Sequence, residues 1–150
     1  MLDNLKEYLN ESLIPLRISG TTNSGWPFVM SLWYVYLDEK IYLATQITAK
    51  VVEYLTNNPK CAYEIASDTP PYCGIRGKAI ARIIESKGEE TLKILINRYL
   101  GGDNNPLAQR LMNQPVPEVA IELTPLSIHQ WNYTQRMNDS IISTSVKICP

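Results

Sequence analysis

Residues 27–37 of the chain read PFVMSLWYVYL, a run of branched and aromatic side chains that is typical of a β-strand. Side chains alternate between the two faces of a strand, and here both faces are largely apolar. Phe28, Met30, Leu32, Tyr34 and Tyr36 share one face, and Val29, Ser31, Trp33, Val35 and Leu37 share the other. A strand on a small barrel normally has a wet outer face. We therefore expect a helix of the same chain, a second subunit or a flat ligand to cover this strand from outside.

Two further strands flank this run in a meander. Residues 16–22 (LRISGTT) precede it across a turn at 23–25, and residues 41–46 (IYLATQ) follow it across a turn at 38–40. Connections this short join antiparallel neighbours. The sequence therefore predicts an antiparallel sheet.

The rest of the chain supplies more strands and a few isolated helices. Helices are predicted over residues 2–13, 48–58, 88–100 and 106–113. Strands are predicted over residues 60–67 and 73–86, followed by a strand pair over 116–131 that is kinked at Pro125, and the tail after Trp131 is expected to be extended or loose. Too few helices are present for a βαβ series. We therefore expect one mainly β domain over residues 1–150, a barrel of six or so strands with helices packed outside.

The composition excludes several classes of protein. With 14 Lys plus Arg against 15 Asp plus Glu, the net charge of -1 gives no general field that would attract nucleic acid or an acidic membrane. No apolar run is long enough to span a bilayer, and the N-terminus lacks the pattern of a signal peptide. Three cysteines and one histidine provide no zinc ligand set. We therefore expect a soluble, cytoplasmic protein in a reducing setting, with no metal, nucleic acid or membrane partner.

A lysine stands at an unexpected place just after the strand that ends near Thr45. Residues 51–58 (VVEYLTNN) are typical of a helix, and Thr48 is predicted as its N-cap. Lys50 then lies in the first helical turn, where the helix dipole disfavours a positive charge. A phosphate bound by Thr45, Thr48, Lys50 and backbone N–H groups would offset the unfavourable interaction of Lys50 with the helix dipole. The alternative is a solvated lysine, or one that is paired with a glutamate.

Several short motifs follow one another along the chain. They are PFVMSLWYVY (27–36), IYLAT (41–45), TAK (48–50), NNP (57–59), RGKA (76–79) and TPLSIHQW (124–131). In this order and spacing they resemble the pyridoxamine-5'-phosphate-oxidase-like, FMN-binding split-barrel family over roughly residues 14–132. The resemblance implies a six-stranded antiparallel split β-barrel with FMN as cofactor. It also implies a homodimer with two flavin sites at the subunit interface.

The resemblance further implies which residues bind the cofactor. They are Met30, Ser31, Leu32, Trp33, Ala44, Thr45, Thr48, Ala49, Lys50, Tyr72 and Trp131. Tyr72 and Trp131 are expected to come from the partner subunit, although a loop residue and a core aromatic would look the same in sequence. Arg76 and Lys78 alternate with apolar residues as solvated strand positions do, and His129 is interpreted as structural.

One departure from the family's pattern bears on activity. Enzymes of the family that oxidise pyridoxamine phosphate carry a paired Arg and His shortly after the late Trp. Here NYTQRMNDS (132–140) contains Arg136 and no following His. We therefore expect an FMN-dependent oxidoreductase with a different small-molecule substrate, whose chemistry is carried by the cofactor and not by a visible catalytic residue. The alternatives on the same fold are a non-catalytic flavin- or haem-binding protein and a deazaflavin-dependent reductase.

Overall fold

The computed structural model describes residues 2–140, which form seven strands, four α-helices and two short 3-10 helices. The strands are β1 (Leu16–Thr21), β2 (Pro27–Leu32), β3 (Val35–Leu37), β4 (Lys40–Gln46), β5 (Lys60–Ala66), β6 (Cys73–Ile84) and β7 (Glu118–Asn132). The α-helices are α1 (Leu2–Glu11), α2 (Lys50–Asn57), α3 (Gly88–Leu100) and α4 (Pro106–Met112). The 3-10 helices are Glu85–Lys87 and Gln135–Ser140.

All seven strands belong to one antiparallel sheet in the order β2-β1-β5-β6-β7-β4-β3. Strands β2 and β3 stand at the two ends of this order, yet only Trp33 and Tyr34 separate them in the chain. The sheet must therefore curl until its two edges nearly meet. The result is a barrel closed by one interrupted strand, as the mainly β, antiparallel fold class predicts.

The prediction of one continuous second strand is wrong at Trp33 and Tyr34, which is why seven strands replace the expected six. The backbone N–H of Tyr34 donates to the hydroxyl of Tyr99, at 3.3 Å, instead of joining a strand ladder. The Tyr34 side chain is fully buried, and its hydroxyl donates to the carbonyl oxygen of Leu9 at 2.9 Å. These tertiary contacts with α1 and α3 break the strand.

The core lies inside the barrel and follows the alternation of its strands. Leu16 and Ile18 of β1, like Ile41 and Leu43 of β4, are completely buried while their neighbours are only partly so. Helices close the barrel with further apolar side chains, of which the most buried are Tyr8, Leu9, Val51, Val52 and Leu55. Burial of these side chains supplies the main free energy of folding.

Helices α3 and α4 pack on the outside of the sheet. Leu92, Ile96 and Ala108 form a second apolar cluster against β4 and the end of the β2 segment, where Trp33 stacks on Tyr99 with 4.9 Å between ring centroids. The chain's own helices thus cover the outer face at Trp33. Farther along the same face, Val29 is 71% exposed, so the predicted need for an outer cover is met only in part by the chain itself.

Several element boundaries differ from the prediction. The opening helix ends at Glu11 and not at residue 13, and the predicted final strand pair is one strand, β7, with its register irregularity where Pro125 pairs with Ala79. The chain after Trp131 is not loose throughout, because residues 135–140 form a 3-10 helix. The remainder of the predicted tail, residues 141–150, lies outside the described residues.

Two of the three cysteines, Cys61 and Cys73, lie within the described residues. Cys61 is free and buried, and burial raises the pKa of its thiol to about 11, so this thiol stays protonated. Cys73 is disulfide-bonded. Among residues 2–140, no helix combines the length and the hydropathy needed to cross a membrane.

Candidate functional site

A cleft of about 470 Å³ opens where the end of β2, strand β4, the turn into α2 and the start of β7 meet the outer helices. Its walls are mostly apolar, with a few hydroxyl, amide and carboxyl groups among them. The lining residues are Ser31, Leu32, Trp33, Ala44, Thr45, Gln46, Ala49, Leu92, Leu95, Leu107, Leu111 and Glu118. A concave, largely apolar site of this size with a few convergent polar groups is typical of a small-ligand pocket.

Many of the residues predicted to bind a cofactor come together in this cleft. They come from three separate segments of sequence and are Ser31, Leu32, Trp33, Ala44, Thr45 and Ala49. Met30 is not among the lining residues, because β2 directs it inward, where it packs against the barrel core. Thr48 and Lys50 are exposed at the turn beside the cleft.

The turn between β4 and α2 differs from its prediction at Thr48, which is not the N-cap. The N-cap is Ala49, whose side chain makes no capping bond, and α2 begins at Lys50. A tight turn displaces the helix start by one residue, because the N–H of Ala49 donates to the carbonyl oxygen of Gln46 at 2.9 Å. Lys50 therefore occupies the first helical position.

Lys50 makes the contact foreseen in the alternative interpretation, a pair with a glutamate. Its ammonium Nζ lies 2.9 Å from Oε2 of Glu53, and the side-chain amide of Asn23 donates to the other oxygen of Glu53 at 2.5 Å. The hydrogen bond that Lys50 donates to Glu53 raises the pKa of Lys50, so the lysine is fully charged. Because this pair is solvent-exposed, it contributes little to stability and leaves Lys50 available to a stronger anion.

Tyr72 and Trp131 lie together at a different place, the end of the β6–β7 ladder. Trp131 pairs with Gly74 in register, and the N–H of Tyr133 donates to the carbonyl oxygen of Tyr72 at 2.9 Å. The Nε1 donor of Trp131 is buried and has no hydrogen-bond partner among residues 2–140. Buried polar atoms are nearly always paired, so this donor and Nε of Arg98 are exceptions among the described residues.

Six lining residues are not predicted from the sequence. Leu92, Leu95, Leu107 and Leu111 come from α3 and α4, whose apolar faces indicate burial without revealing against which strands they pack. Gln46 follows Thr45 directly and could have been named from its position. Glu118 could have been singled out in the sequence, because its carboxyl group directly precedes the apolar stretch VAI (119–121).

Glu118 is the charged member of the cleft lining. It pairs in register with Gln46 across the β4–β7 ladder. Partial burial raises the pKa of its carboxyl group above the usual range. Among the described residues its side chain has neither an ion-pair partner nor a hydrogen-bond partner.

Glu122 lies four residues after Glu118 on the same face of β7, and its pKa is shifted in the opposite direction. Arg82 donates to both of its oxygens at 3.1 and 3.2 Å, Lys40 lies 3.1 Å away, and Tyr42 donates at 2.9 Å. Burial by itself raises the pKa of Glu122, but these partners outweigh burial and hold the pKa below its usual range. Glu122 is therefore a structural carboxylate.

A second concavity, of about 410 Å³, lies on the outer face of the sheet over β1, β5 and β6. Arg17, Arg76, Lys78 and His129 line it together with the exposed Val29. Arg76 and Lys78 are exposed strand positions, as expected, and His129 is paired in register with Arg76. This surface is open and cationic, and it lies on the face that the outer helices leave bare.

Comparison with known proteins rests on solved structures, because neither a protein-family model nor a curated protein matches the sequence. An F420 reductase matches with a TM-score of 0.66 and 17% identity, over 82% of this chain and 94% of its own. The haem storage protein HutZ of Vibrio cholerae matches with a TM-score of 0.67 and 15% identity, over 85% and 92%. A Listeria innocua protein provisionally assigned as a pyridoxamine 5'-phosphate oxidase matches with a TM-score of 0.60 and 15% identity, over 86% of this chain and 93% of its own.

The chain has the pyridoxamine-5'-phosphate-oxidase-like split-barrel fold. The fold inferred from the order of the sequence motifs is thereby confirmed. Proteins with this split-barrel fold include oxidoreductases and a haem storage protein, so the fold by itself does not select a ligand. The ligand has to be argued from the cleft.

Proposed function

We propose that the protein binds FMN in the cleft beside β4 and acts as an FMN-dependent oxidoreductase on a small molecule. The observation that carries this proposal is the convergence of Ser31, Trp33, Ala44, Thr45 and Ala49 on one cleft. The sequence resemblance predicts these same residues as flavin contacts, and they come from separate segments at residues 31–33 and 44–49.

The chemistry of the cleft suits FMN. Trp33 and the leucines of α3 and α4 offer an apolar surface for a flat ring, and they exclude water from it. Ser31, Thr45 and Gln46 offer hydroxyl and amide groups for a polyol chain. Lys50 stands at the adjoining helix start, where a phosphate is favoured by the helix dipole and by the ammonium. The bound flavin would supply the hydride chemistry, and the chain would hold the ring in place and exclude water from it.

A homodimer completes the proposed site. Tyr72 and Trp131 are not part of the cleft lining, and Trp131 has a buried Nε1 donor without a partner among the described residues. The cationic outer face that contains Val29 is left bare by the helices. Two chains that join through this face in a twofold arrangement would cover Val29, and each would bring Tyr72 and Trp131 towards its partner's cleft.

Haem is a less suitable ligand for this cleft. Iron in haem proteins is held by His, Cys, Met or Tyr side chains, and none of these occurs among the described lining residues. His129, the one histidine of the chain, faces the second concavity instead. A deazaflavin coenzyme with a longer acidic tail would want more cations than Lys50, and the cleft instead contains Glu118. FMN is therefore favoured over both.

The proposal is tested by titrating the purified protein with FMN and following the quenching of flavin fluorescence. Replacement Ser31→Trp fills the mouth of the cleft at an exposed position, and we expect it to weaken FMN binding by at least about tenfold. Thr124→Trp, at an exposed position of β7 outside the cleft, is the matched control and should bind as the wild type does. Equal affinity in all three proteins would place the flavin elsewhere.

A kinetic experiment separates an enzyme from a carrier. Flavin-loaded protein is mixed with a reduced nicotinamide and an artificial electron acceptor, and the oxidation of the nicotinamide is followed. Turnover above that of free FMN supports an oxidoreductase, whereas tight FMN binding without turnover supports the non-catalytic alternative.

A further inference from the structure

Glu118 occupies an unusual position between two cavities. It lines the cleft together with Thr45 and Gln46 at the end of β4 and Ala49 in the following turn, next to the helix start at Lys50 that is proposed to receive the phosphate. It also lines a neighbouring cavity of about 330 Å³, and Leu92 and Leu111 are shared by the two cavities in the same way. Glu118 therefore lies between the cleft and this second space.

The position of Glu118 is fixed by its backbone. Its register partner is Gln46, and the next pair is Thr45 with Val119. Helix α3 begins in direct contact with this segment, since a Cβ atom at Gly88 would collide with the carbonyl oxygen of Glu118. Strand pairing with β4 and the close approach of Gly88 thus hold the main chain of Glu118 beside the cleft.

The charges that face Glu118 do not neutralise it. Glu85, Glu89 and Lys93 line the neighbouring cavity, but Nζ of Lys93 lies 2.6 Å from Oε1 of Glu89 and is already paired. Within the described lining of the cleft itself, no other side chain is charged. Glu118 thus lacks the neutralising partners that Glu122 has in Arg82, Lys40 and Tyr42.

A carboxyl group beside a phosphate site interacts differently with the phosphate in its neutral and ionised states. In the neutral state it is a hydrogen-bond donor to a phosphate oxygen, and in the ionised state it repels the phosphate. Partial burial raises the pKa of Glu118, which brings the change of state closer to neutral pH.

We propose that Glu118 makes the binding of a phosphate-bearing ligand in the cleft depend on pH, because its neutral carboxyl donates to the ligand and its carboxylate repels it. This inference rests on the proposed function, since it takes the ligand of the cleft to be FMN. It adds a specificity-determining residue on β7 to a site otherwise built from β2, β4 and the turn into α2.

The test compares FMN with riboflavin, which has the same ring and polyol but no phosphate. Dissociation constants are measured by fluorescence quenching at about pH 5 and about pH 8, on either side of the second ionisation of a phosphate monoester near pH 6. For the wild type, we expect the affinity for FMN to fall by about tenfold or more between these two values, as one pKa unit of coupling implies. The affinity for riboflavin should change much less.

Two variants isolate Glu118 from the titration of the phosphate itself. Glu118→Gln keeps the shape and the donor but cannot ionise, so its FMN affinity should fall less with pH and should exceed that of the wild type at about pH 8. Glu7→Gln, which removes an exposed carboxylate of α1 that lines neither cavity, should keep the wild-type pH profile.

The outcomes separate this inference from the proposed function. If Glu118→Gln binds FMN with the pH profile of the wild type, the role of Glu118 is wrong and FMN binding stands. That role is also wrong if riboflavin and FMN show equal pH dependence in the wild type, a comparison that needs no variant. If no protein binds FMN at either pH, both proposals are wrong.

Discussion

The ammonium Nζ of Lys50 lies 2.9 Å from the carboxylate Oε2 of Glu53, one turn further along α2. This pair keeps a cation at the start of a helix, where the dipole disfavours it. Both partners are largely in water, so the pair is weak and the lysine can turn towards a phosphate without a large cost. The pair with Glu53 thus explains how a lysine is tolerated at the start of this helix.

Replacement Lys50→Glu is predicted to weaken FMN binding by about ten- to a hundredfold, because it exchanges a charged hydrogen bond for a charge repulsion. The measurement is a fluorescence titration with FMN. Lys60→Glu, an equally exposed change at the start of β5, is the control and should have no effect. An unchanged dissociation constant in the Lys50 variant would remove Lys50 from the site.

The second prediction concerns the oligomer. We expect a homodimer, with a mass of twice 17.0 kDa by light scattering at micromolar concentration. Val29→Glu places a charge on the bare outer face and should shift the protein towards the monomer, because burying an unpaired carboxylate is costly. Leu37→Glu, at an exposed position of β3, should leave the dimer intact. A wild-type mass of 17.0 kDa would contradict the dimer.

The third prediction concerns the stability of the barrel. Glu122→Gln should lower the free energy of unfolding by about 1–3 kcal/mol at neutral pH, because Arg82 and Lys40 lose their charged acceptor. The folded-state pKa of Glu122 is lowered, so its contribution is present above the ordinary pKa of a glutamic acid and is lost as pH falls through the lowered value.

Urea denaturation at neutral and at acid pH checks this prediction. The difference between wild type and Glu122→Gln should shrink as the pH falls. Glu89→Gln, whose carboxylate is exposed and paired only with Lys93 among the described residues, should show no measurable difference at either pH. A variant as stable as the wild type at neutral pH would mean that the Glu122 cluster contributes nothing.

The fourth prediction is negative. Pyridoxamine phosphate carries a phosphate of its own, which needs paired donors beside the flavin. After Trp131 the described chain offers Arg136, whose guanidinium carbon lies 5.7 Å from the ring centroid of Tyr133, and no histidine. We expect negligible release of pyridoxal phosphate from saturating pyridoxamine phosphate. Turnover of about 1–1,000 per second would show that the second phosphate site exists.

The sequence predicts most of the fold because its signals are local. Alternation in β1 and β4 marks inward side chains such as Ile18 and Leu43, and α3 ends at the predicted glycine pair after Leu100. The order of short motifs further indicates a split barrel, which a single motif would not. Of the cleft residues, a local signal indicates Thr45, at the strand end before the helix, whereas Ala44 and Ala49 are indicated only by the family resemblance.

The incorrect predictions have tertiary causes. Tyr34 breaks the second strand because its hydroxyl donates to a carbonyl oxygen of α1 and its N–H donates to the hydroxyl of Tyr99. The sequence of residues 27–37 gives no indication of these contacts. Thr48 fails as N-cap because a tight turn from Gln46 starts the helix one residue later. Glu118 is not predicted as a cleft residue because its place there follows from pairing with Gln46, on a strand far earlier in the chain.

The absorbance spectrum of the purified protein, recorded after incubation with excess FMN and removal of unbound ligand by gel filtration, tests the central claim most directly. We predict the two absorption bands of oxidised flavin at about one FMN per chain, lost in the Ser31→Trp variant and retained in Thr124→Trp. A protein that emerges without flavin, or that carries an intense haem band in its place, would contradict the claim that this cleft is a flavin site.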